Sequence, residues 1–150
     1  MNVTHDPAAA FREAEAAFAH SAPAAVIAAR PQLDFRTVPA DPDGFPHLKL
    51  AGGAQREMHF YFDNTEYTLS FCDWHSHMDE LGQLLTLVDD ILADRAVVAS
   101  AFCEGSWRGS AFVCGGDENA WLEFVTDPAK GPCVFKLRSW SGRLDRDISY

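Results

Sequence analysis

The sequence predicts an α+β fold from two changes in the spacing of its apolar residues. Apolar and polar side chains alternate through 57–62 and 67–72, as in strands with one buried face. From Leu81 the spacing becomes that of an amphipathic helix, and after residue 95 short apolar runs alternate with turn residues. We therefore expect an N-terminal helix or helix pair, then an antiparallel sheet of about six to eight strands with one amphipathic helix packed on it.

The length of 150 residues suits a single domain spanning 1–150. We expect a helical N-terminal segment at 1–31 and a sheet region at 32–150 with a central helix at 78–94. No apolar run approaches the roughly 20 residues that span a bilayer, and residues 1–7 lack the pattern of a signal peptide. These features indicate a cytoplasmic protein that does not enter a membrane.

The N-terminal helix is predicted from its first residues, since Asp6 is a good N-cap and Pro7 suits the first helical position. Phe11 and Phe18 recur on one face of this helix. We expect Pro23 to interrupt the helix, with a second short helix at 24–30. The four prolines of 31–47 predict an ordered loop that leads into a short strand at 47–50.

The central hairpin has one favoured register. If Asn64 and Thr65 form a two-residue turn, the apolar residues of the two strands face each other in pairs, and a one-residue slip would set aromatic side chains against polar groups. The expected pairs are Phe62 with Tyr67, Phe60 with Leu69, and Met58 with Phe71.

The central helix carries a broad apolar stripe and an acidic opposite face. Its acids are Glu80, Asp89, Asp90 and Asp94. The last three oppose the helix macrodipole, and the sequence offers no structural reason for them. We expect this face to be solvated or to contact a partner. After the helix we expect strands at 96–103, 108–114, 120–125 and 133–139, and an edge strand at 144–150.

The four cysteines are widely spaced and form no C-x-x-C pair. A secreted disulfide scaffold usually has denser cysteines and a leader. Reduced, mostly buried thiols in a cytosolic protein are therefore expected.

The net charge of −10 is unevenly distributed. Residues 57–127 contain fourteen acidic and two basic side chains, whereas 128–150 contain five basic and two acidic ones. Such a field repels phosphate backbones, which argues against nucleic acid as a partner. It suits a basic protein partner, a cation, or solubility alone.

Asp73, His75 and His77 form the one close group of potential metal ligands. If the preceding strand continues through His77, all three side chains share a face, and Zn²⁺ or Fe²⁺ would suit them. The pattern H-x-H is common by chance, and the hairpin register sets His59 on the opposite face from the residues aligned with His75. We therefore expect no metal or other cofactor.

A structural interpretation of the same stretch is favoured over a polar binding site or a metal site. Ser76 and Asp79 have the spacing of a capping box, which would place a strand-to-helix junction here. Asp73 would then pair with Arg56 across the strands, and Trp74 would pack over the helix start. His75 and His77 would flank the junction, available for recognition.

The C-terminal strand carries Lys136, Arg138 and Trp140 at alternating positions. An ordinary solvated strand face explains this pattern, and an interface is the functional alternative, since Trp and Arg are favoured anchors. The strip could also meet the acidic surface of a second copy, giving a homodimer.

Catalytic residues are not identified. No serine or cysteine lies in a nucleophile elbow, and Cys72, three residues before His75, is weak grounds for a dyad.

The order of the aromatic hairpin, the run Phe71–Asp79, the acidic helix and the following strands resembles a family of small uncharacterised bacterial proteins. Such proteins are grouped with the immunity proteins of polymorphic toxin systems, which bind and block a toxin without catalysis. The resemblance covers roughly 56–114 and implies no catalytic residue. In topology the chain is also similar to acidic, dimeric type III secretion chaperones, except that it continues as strands where a final helix would follow.

Together these features favour a non-enzymatic cytosolic binding protein, with an immunity-like antagonist as one form. Its contact surface would combine the acidic helix face with the Trp74–His77 junction. The alternatives are a metal-dependent enzyme using Asp73, His75 and His77, and a dimeric chaperone-like protein.

Overall fold

The computed structural model describes residues 6–42, 44–114 and 131–149. The α+β class is confirmed, and the described strands form two antiparallel sheets, of orders β1-β2-β3-β4-β5 and β7-β6-β8-β9, where the sequence predicted one. The elements are α1 (Pro7–Ala29), β1 (Arg36–Val38), β2 (His47–Ala51), β3 (Glu57–Tyr61), β4 (Tyr67–Phe71), β5 (Trp74–Met78), α2 (Leu81–Leu92), β6 (Ala96–Cys103), β7 (Ser106–Cys114), β8 (Cys133–Arg138) and β9 (Arg146–Ser149). The strand expected at 120–125 lies outside the described residues.

The predicted hairpin register is confirmed. Met58 pairs with Phe71 and Phe60 pairs with Leu69. Asn64 and Thr65 both have positive φ, of 55° and 59°, as the tight turns of β-hairpins require. Strand β1 was not predicted: it forms inside the segment expected to be a loop and pairs with β2.

Helix α1 is continuous, so the predicted break at Pro23 is wrong. Proline in a helix interior removes one hydrogen bond, at a cost of about 3 kcal/mol. Ala22 and Val26 are buried on either side of Pro23, and this packing holds the helix together. These small residues form the face of α1 that packs on the core. Phe11, which recurs with Phe18 on one face in the sequence, is 52% exposed.

Both helices pack under the same face of the five-stranded sheet. Val26 of α1, Leu84 and Val88 of α2 and Phe60 of β3 belong to one buried cluster. Neither helix, within the described residues, is long and apolar enough to cross a membrane. The chain thus has a helical layer on one side of this sheet and leaves the other side open.

Helix α2 begins later than the predicted 78–94, at Leu81, because β5 continues through Met78. The four-stranded sheet joins the same core through Val98 and Phe112, and Trp140 joins it from the loop after β8. Trp74 of β5 stacks on Phe112 of β7, with ring centroids 5.0 Å apart, so Trp74 contacts the second sheet.

The loop at 139–145, between β8 and β9, contacts the five-stranded sheet through partly buried polar groups. Asp145 binds both terminal nitrogens of Arg56, which also donates to the backbone carbonyl of Ser139. The Ser139 backbone N–H donates to Asp145 at 2.9 Å. Asp73, the partner predicted for Arg56, is exposed in a turn instead. Gly52 is required beside this loop, since a side chain there would overlap the Trp140 ring.

The cysteine prediction is wrong. Cys103 and Cys133 form a disulfide, while Cys72 and Cys114 are free and exposed. The 30-residue separation gave no hint of this bond, which arises because β6 and β8 set the two residues directly opposite each other. The bond also removes the sequence argument for a cytosolic location, since disulfides persist in oxidising compartments.

The Arg56–Asp145 contact predicts a pH-dependent contribution to stability. Partial burial acts to raise the pKa of Asp145, but hydrogen bonds from Arg56 and the Ser139 backbone outweigh it and lower the pKa below 3.8. The stabilisation is therefore present above pH 3.8 and lost as the pH falls through the folded-state pKa.

We expect Asp145→Asn to lower the free energy of unfolding at pH 7 by about 2–3 kcal/mol, with the difference shrinking below about pH 4. The matched control is Asp147→Asn, which breaks a more exposed pair with Arg138 and should cost at most about 1 kcal/mol. Urea denaturation at several pH values measures both, and equal losses in the two variants would contradict the account.

Thiol counting tests the disulfide. In denaturant without reductant, a thiol reagent should find two thiols per chain, and four after reduction. Reduction should lower the free energy of unfolding by about 2–4 kcal/mol, because it removes a cross-link from the unfolded chain. Cys72→Ser is the control and should leave stability unchanged, and four thiols before reduction in protein kept oxidised would rule the bond out.

Candidate functional site

Four of the six histidines lie on the open face of the five-stranded sheet, and we call this surface the histidine face (His47, His59, His75 and His77). His59 and His75 each pair with Ser70, from opposite sides, so they share a row. The prediction that His59 faces away from His75 is therefore wrong. The prediction assumed one long strand, whereas the chain reverses at Cys72 and Asp73. Because of this turn, each side chain of β5 lies on the face opposite to the one that a continuous strand would give it.

The same chain reversal makes two further predictions wrong, the N-cap role of Ser76 and its capping box with Asp79. Ser76 pairs with Leu69 inside β5, so it does not cap a helix, and the capping box with Asp79 is absent. The N-cap of α2 is Glu80, whose side chain makes no capping hydrogen bond. The ladder of β4 and β5 satisfies the Ser76 backbone, and a local cap cannot compete with it.

A connected polar network crosses the histidine face. Glu57 accepts from Lys49 at 3.1 Å through one oxygen and contacts His59 Nε2 at 3.1 Å through the other. His59 Nδ1 lies 3.2 Å from His47 Nε2, and the His47 ring stacks on Tyr61 with centroids 4.7 Å apart. The sequence did not reveal this network, because His47 stood at the end of a presumed loop.

The surroundings of Glu57 and His47 lower the pKa of each group for a different reason. The hydrogen bond from Lys49 is the main cause that lowers the pKa of Glu57. Desolvation, followed by the nearby His59, lowers the pKa of His47. At neutral pH the network therefore contains a carboxylate and a neutral His47 ring.

The second histidine pair is more exposed. His75 and His77 meet edge to face, with ring centroids 5.3 Å apart. His77 Nδ1 lies 2.8 Å from Thr68 Oγ1 and 3.3 Å from Glu66. Asp73 lies in the turn before β5, so the expected Asp73-x-His75-x-His77 strand face does not form.

A groove of about 620 Å³ lies between β5 and α2, and we call it the β5–α2 groove. Its lining residues are Ser76, His77, Met78, Glu80, Gly82, Gln83, Thr86, Leu87 and Asp90. Met78 and Leu87 give it an apolar part, while Glu80 and Asp90 give it negative charge. None of the lining residues is Lys or Arg.

Three acids of the predicted contact surface have partners within the chain. Asp89 binds Arg30 through both oxygens, at 3.0 and 2.6 Å, and thereby fastens α2 to the end of α1. Asp90 pairs with Arg95 at 2.8 Å. Asp94, whose side chain is only 5% exposed, accepts hydrogen bonds from Ser141 and Arg143. These contacts supply the structural reason that the sequence lacked, and they leave Glu80 as the exposed acid of the group.

The C-terminal strip is less open than expected. Arg138 pairs with Asp147 at 2.7 Å. Trp140 lies beyond the end of β8, half-buried against Phe71 with ring centroids 5.8 Å apart. Lys136 lies over the Phe102 ring at 4.9 Å. Trp140 is therefore part of the core, and it is not an exposed anchor.

Cys72 lies in the turn between β4 and β5. Although the residue is exposed as a whole, desolvation around its sulfur raises the pKa of the thiol to about 11. The thiol is then protonated at neutral pH, which makes it a weak nucleophile. Within the described ranges, no group of three or more His, Cys, Asp or Glu side chains is arranged to hold a metal ion.

Comparison with protein-family models, with curated proteins and with solved structures finds no match to this chain.

The lowered pKa of His47 gives a direct spectroscopic prediction. In an NMR titration, His47 should titrate below the ordinary value of 6.5. In the His59→Gln variant its pKa should rise only part of the way, because desolvation, the larger cause, remains. His47 titrating at or above 6.5 in the native chain would contradict the described contact.

Proposed function

We propose that this chain is a non-enzymatic protein-binding protein that holds an extended, basic segment of its partner in the β5–α2 groove. An immunity-like antagonist, which blocks a toxin by binding it, is the class that fits this mode best. Two features together carry the proposal. The outer edge of β5 is not paired with another described strand, and Glu80 and Asp90 make the border of the adjacent groove acidic.

The strand edge supports this mode through its backbone. Within the described residues, β5 is the last strand of its sheet, and its outer edge makes no backbone hydrogen bond. Proteins usually protect such edges with lysine, proline or a bulge, because a free edge pairs with other chains. The β5 sequence, Trp-His-Ser-His-Met, has no lysine or proline. An extended segment added here would gain main-chain hydrogen bonds, as in other cases of strand addition.

The groove beside the edge provides side-chain selectivity. Its volume of about 620 Å³ falls within the usual range for ligand sites. Met78 and Leu87 would contact apolar side chains of the partner. Glu80, and the partly exposed Asp90 that already contacts Arg95, favour Lys or Arg at the rim.

Binding in this groove does not depend on a cytosolic location. The Cys103–Cys133 bond favours a compartment that is oxidising, or a stage of the protein's life spent in one. A toxin antagonist would act wherever it meets its partner.

Charge reversal at Glu80 tests the proposal, with the product of the gene adjacent to its own as the first partner assayed. We expect Glu80→Lys to weaken binding by about 3- to 30-fold at 50 mM salt and by less at 500 mM, because an attraction becomes a screened repulsion. Titration calorimetry measures the affinity.

The matched control is Glu13→Lys on α1, which makes the same change in net charge at another exposed site. It should leave the affinity unchanged. Equal weakening by both variants would show that only overall charge matters, and the absence of any partner or toxin protection would overturn the function. Sedimentation of the chain alone shows whether a second copy fills the groove, in which case Glu80→Lys would shift the monomer–dimer balance.

A further inference from the structure

The contact between His47 and His59 has the spacing of two ligands on one metal ion. His47 Nε2 and His59 Nδ1 lie 3.2 Å apart. Two imidazole nitrogens on one tetrahedral Zn²⁺ lie about 3.3 Å apart, given Zn–N distances of roughly 2.0–2.1 Å. A metal ion could therefore bind both nitrogens once the rings rotate to point both lone pairs at it, and the proton between them would move to His47 Nδ1.

Glu57 sets the tautomer that such a site needs. His59 Nε2 lies 3.1 Å from Glu57 Oε2, so this nitrogen carries a proton and donates it to the carboxylate. The lone pair of His59 is then on Nδ1, which faces His47. Metal-binding histidines typically have their second nitrogen held by a carboxylate in this way.

The His47 ring is held in place. It stacks on Tyr61 with an angle of 28° between the planes, and both residues are half-buried. Lys49 is the adverse charge nearby, and its contact with Glu57 offsets it.

We propose that His47 and His59 form a two-imidazole binding site for a divalent transition-metal ion such as Zn²⁺, Ni²⁺ or Cu²⁺. Imidazole prefers these ions to Mg²⁺ or Ca²⁺. The described residues provide no group of three or more ligands, so solvent completes the coordination shell. With two protein ligands, the expected Kd for Zn²⁺ is on the order of 1–100 µM. The site lies on the histidine face and is independent of the β5–α2 groove.

The test compares two histidine pairs in the untagged chain, by competition of Zn²⁺ with a chromophoric chelator. The native chain should bind one Zn²⁺, and His47→Gln/His59→Gln should weaken binding at least tenfold. The control His75→Gln/His77→Gln removes as many histidines from the same face and should change the Kd by less than twofold. Cys72→Ser should also keep the site, and Mg²⁺ should not compete.

Paramagnetic broadening provides a second measurement that needs no variant. Substoichiometric Cu²⁺ should broaden the imidazole NMR signals of His47 and His59 before those of His75 and His77. Equal loss of affinity in both double variants, preferential broadening at His75 and His77, or no saturable binding below 1 mM Zn²⁺ would each overturn the assignment.

Discussion

The five-stranded sheet has a single register because one of its faces packs against two helices and the other faces solvent. Phe60 and Leu69 pair across β3 and β4 and are fully buried, so a shift by one residue would expose them and bury His59 beside Ser70. Burial of side chains of this size stabilises the fold by about 1.5–3 kcal/mol each, which makes the alternative register strongly unfavourable. Every candidate site on this sheet depends on that constraint.

The tight turn at Cys72 and Asp73 extends the same constraint to β5. Cys72 takes a φ of 54°, which lets the chain reverse within two residues. His75 and His77 consequently join the histidine face, while Ser76 and Met78 point towards the helical side. One strand therefore contributes to two different surfaces, a polar face and a groove, and His77 at the sheet edge borders both.

Internal pairing explains much of the acidic composition. Asp89 connects the two helices, Asp94 binds the loop at 139–145, and Asp145 within that loop binds Arg56 beside the other sheet. Hydrogen bonds at these carboxylates outweigh the cost of partial burial and lower their pKa values. Part of the net charge of −10 therefore comes from acids that hold the fold together. The acidic composition alone did not show which of these residues remain available to a partner.

Local patterns predicted the fold class, the hairpin register and the amphipathic helix, because each depends on neighbours in sequence. The disulfide, the contact of Arg56 with Asp145 and the meeting of His47 with His59 depend on strand order, which alternation does not specify. The Cys72–Asp73 turn was missed because it contains no glycine, although the apolar positions change from odd numbers before it to even numbers after it, at Trp74 and Met78. That one reversal changed the predicted roles of Asp73, Ser76 and His59.

Hydrogen exchange of the backbone amides, with and without the bound partner, tests strand addition at β5 most directly. A segment that pairs with this edge must protect the outward-facing amides of His75 and His77, because the amides that alternate with them already face β4. The other edge strand, Arg36–Val38, is the internal control and should exchange as it does in the free chain. Protection that appears at Arg36–Val38 or elsewhere, with β5 unchanged, would contradict the proposed mode of binding.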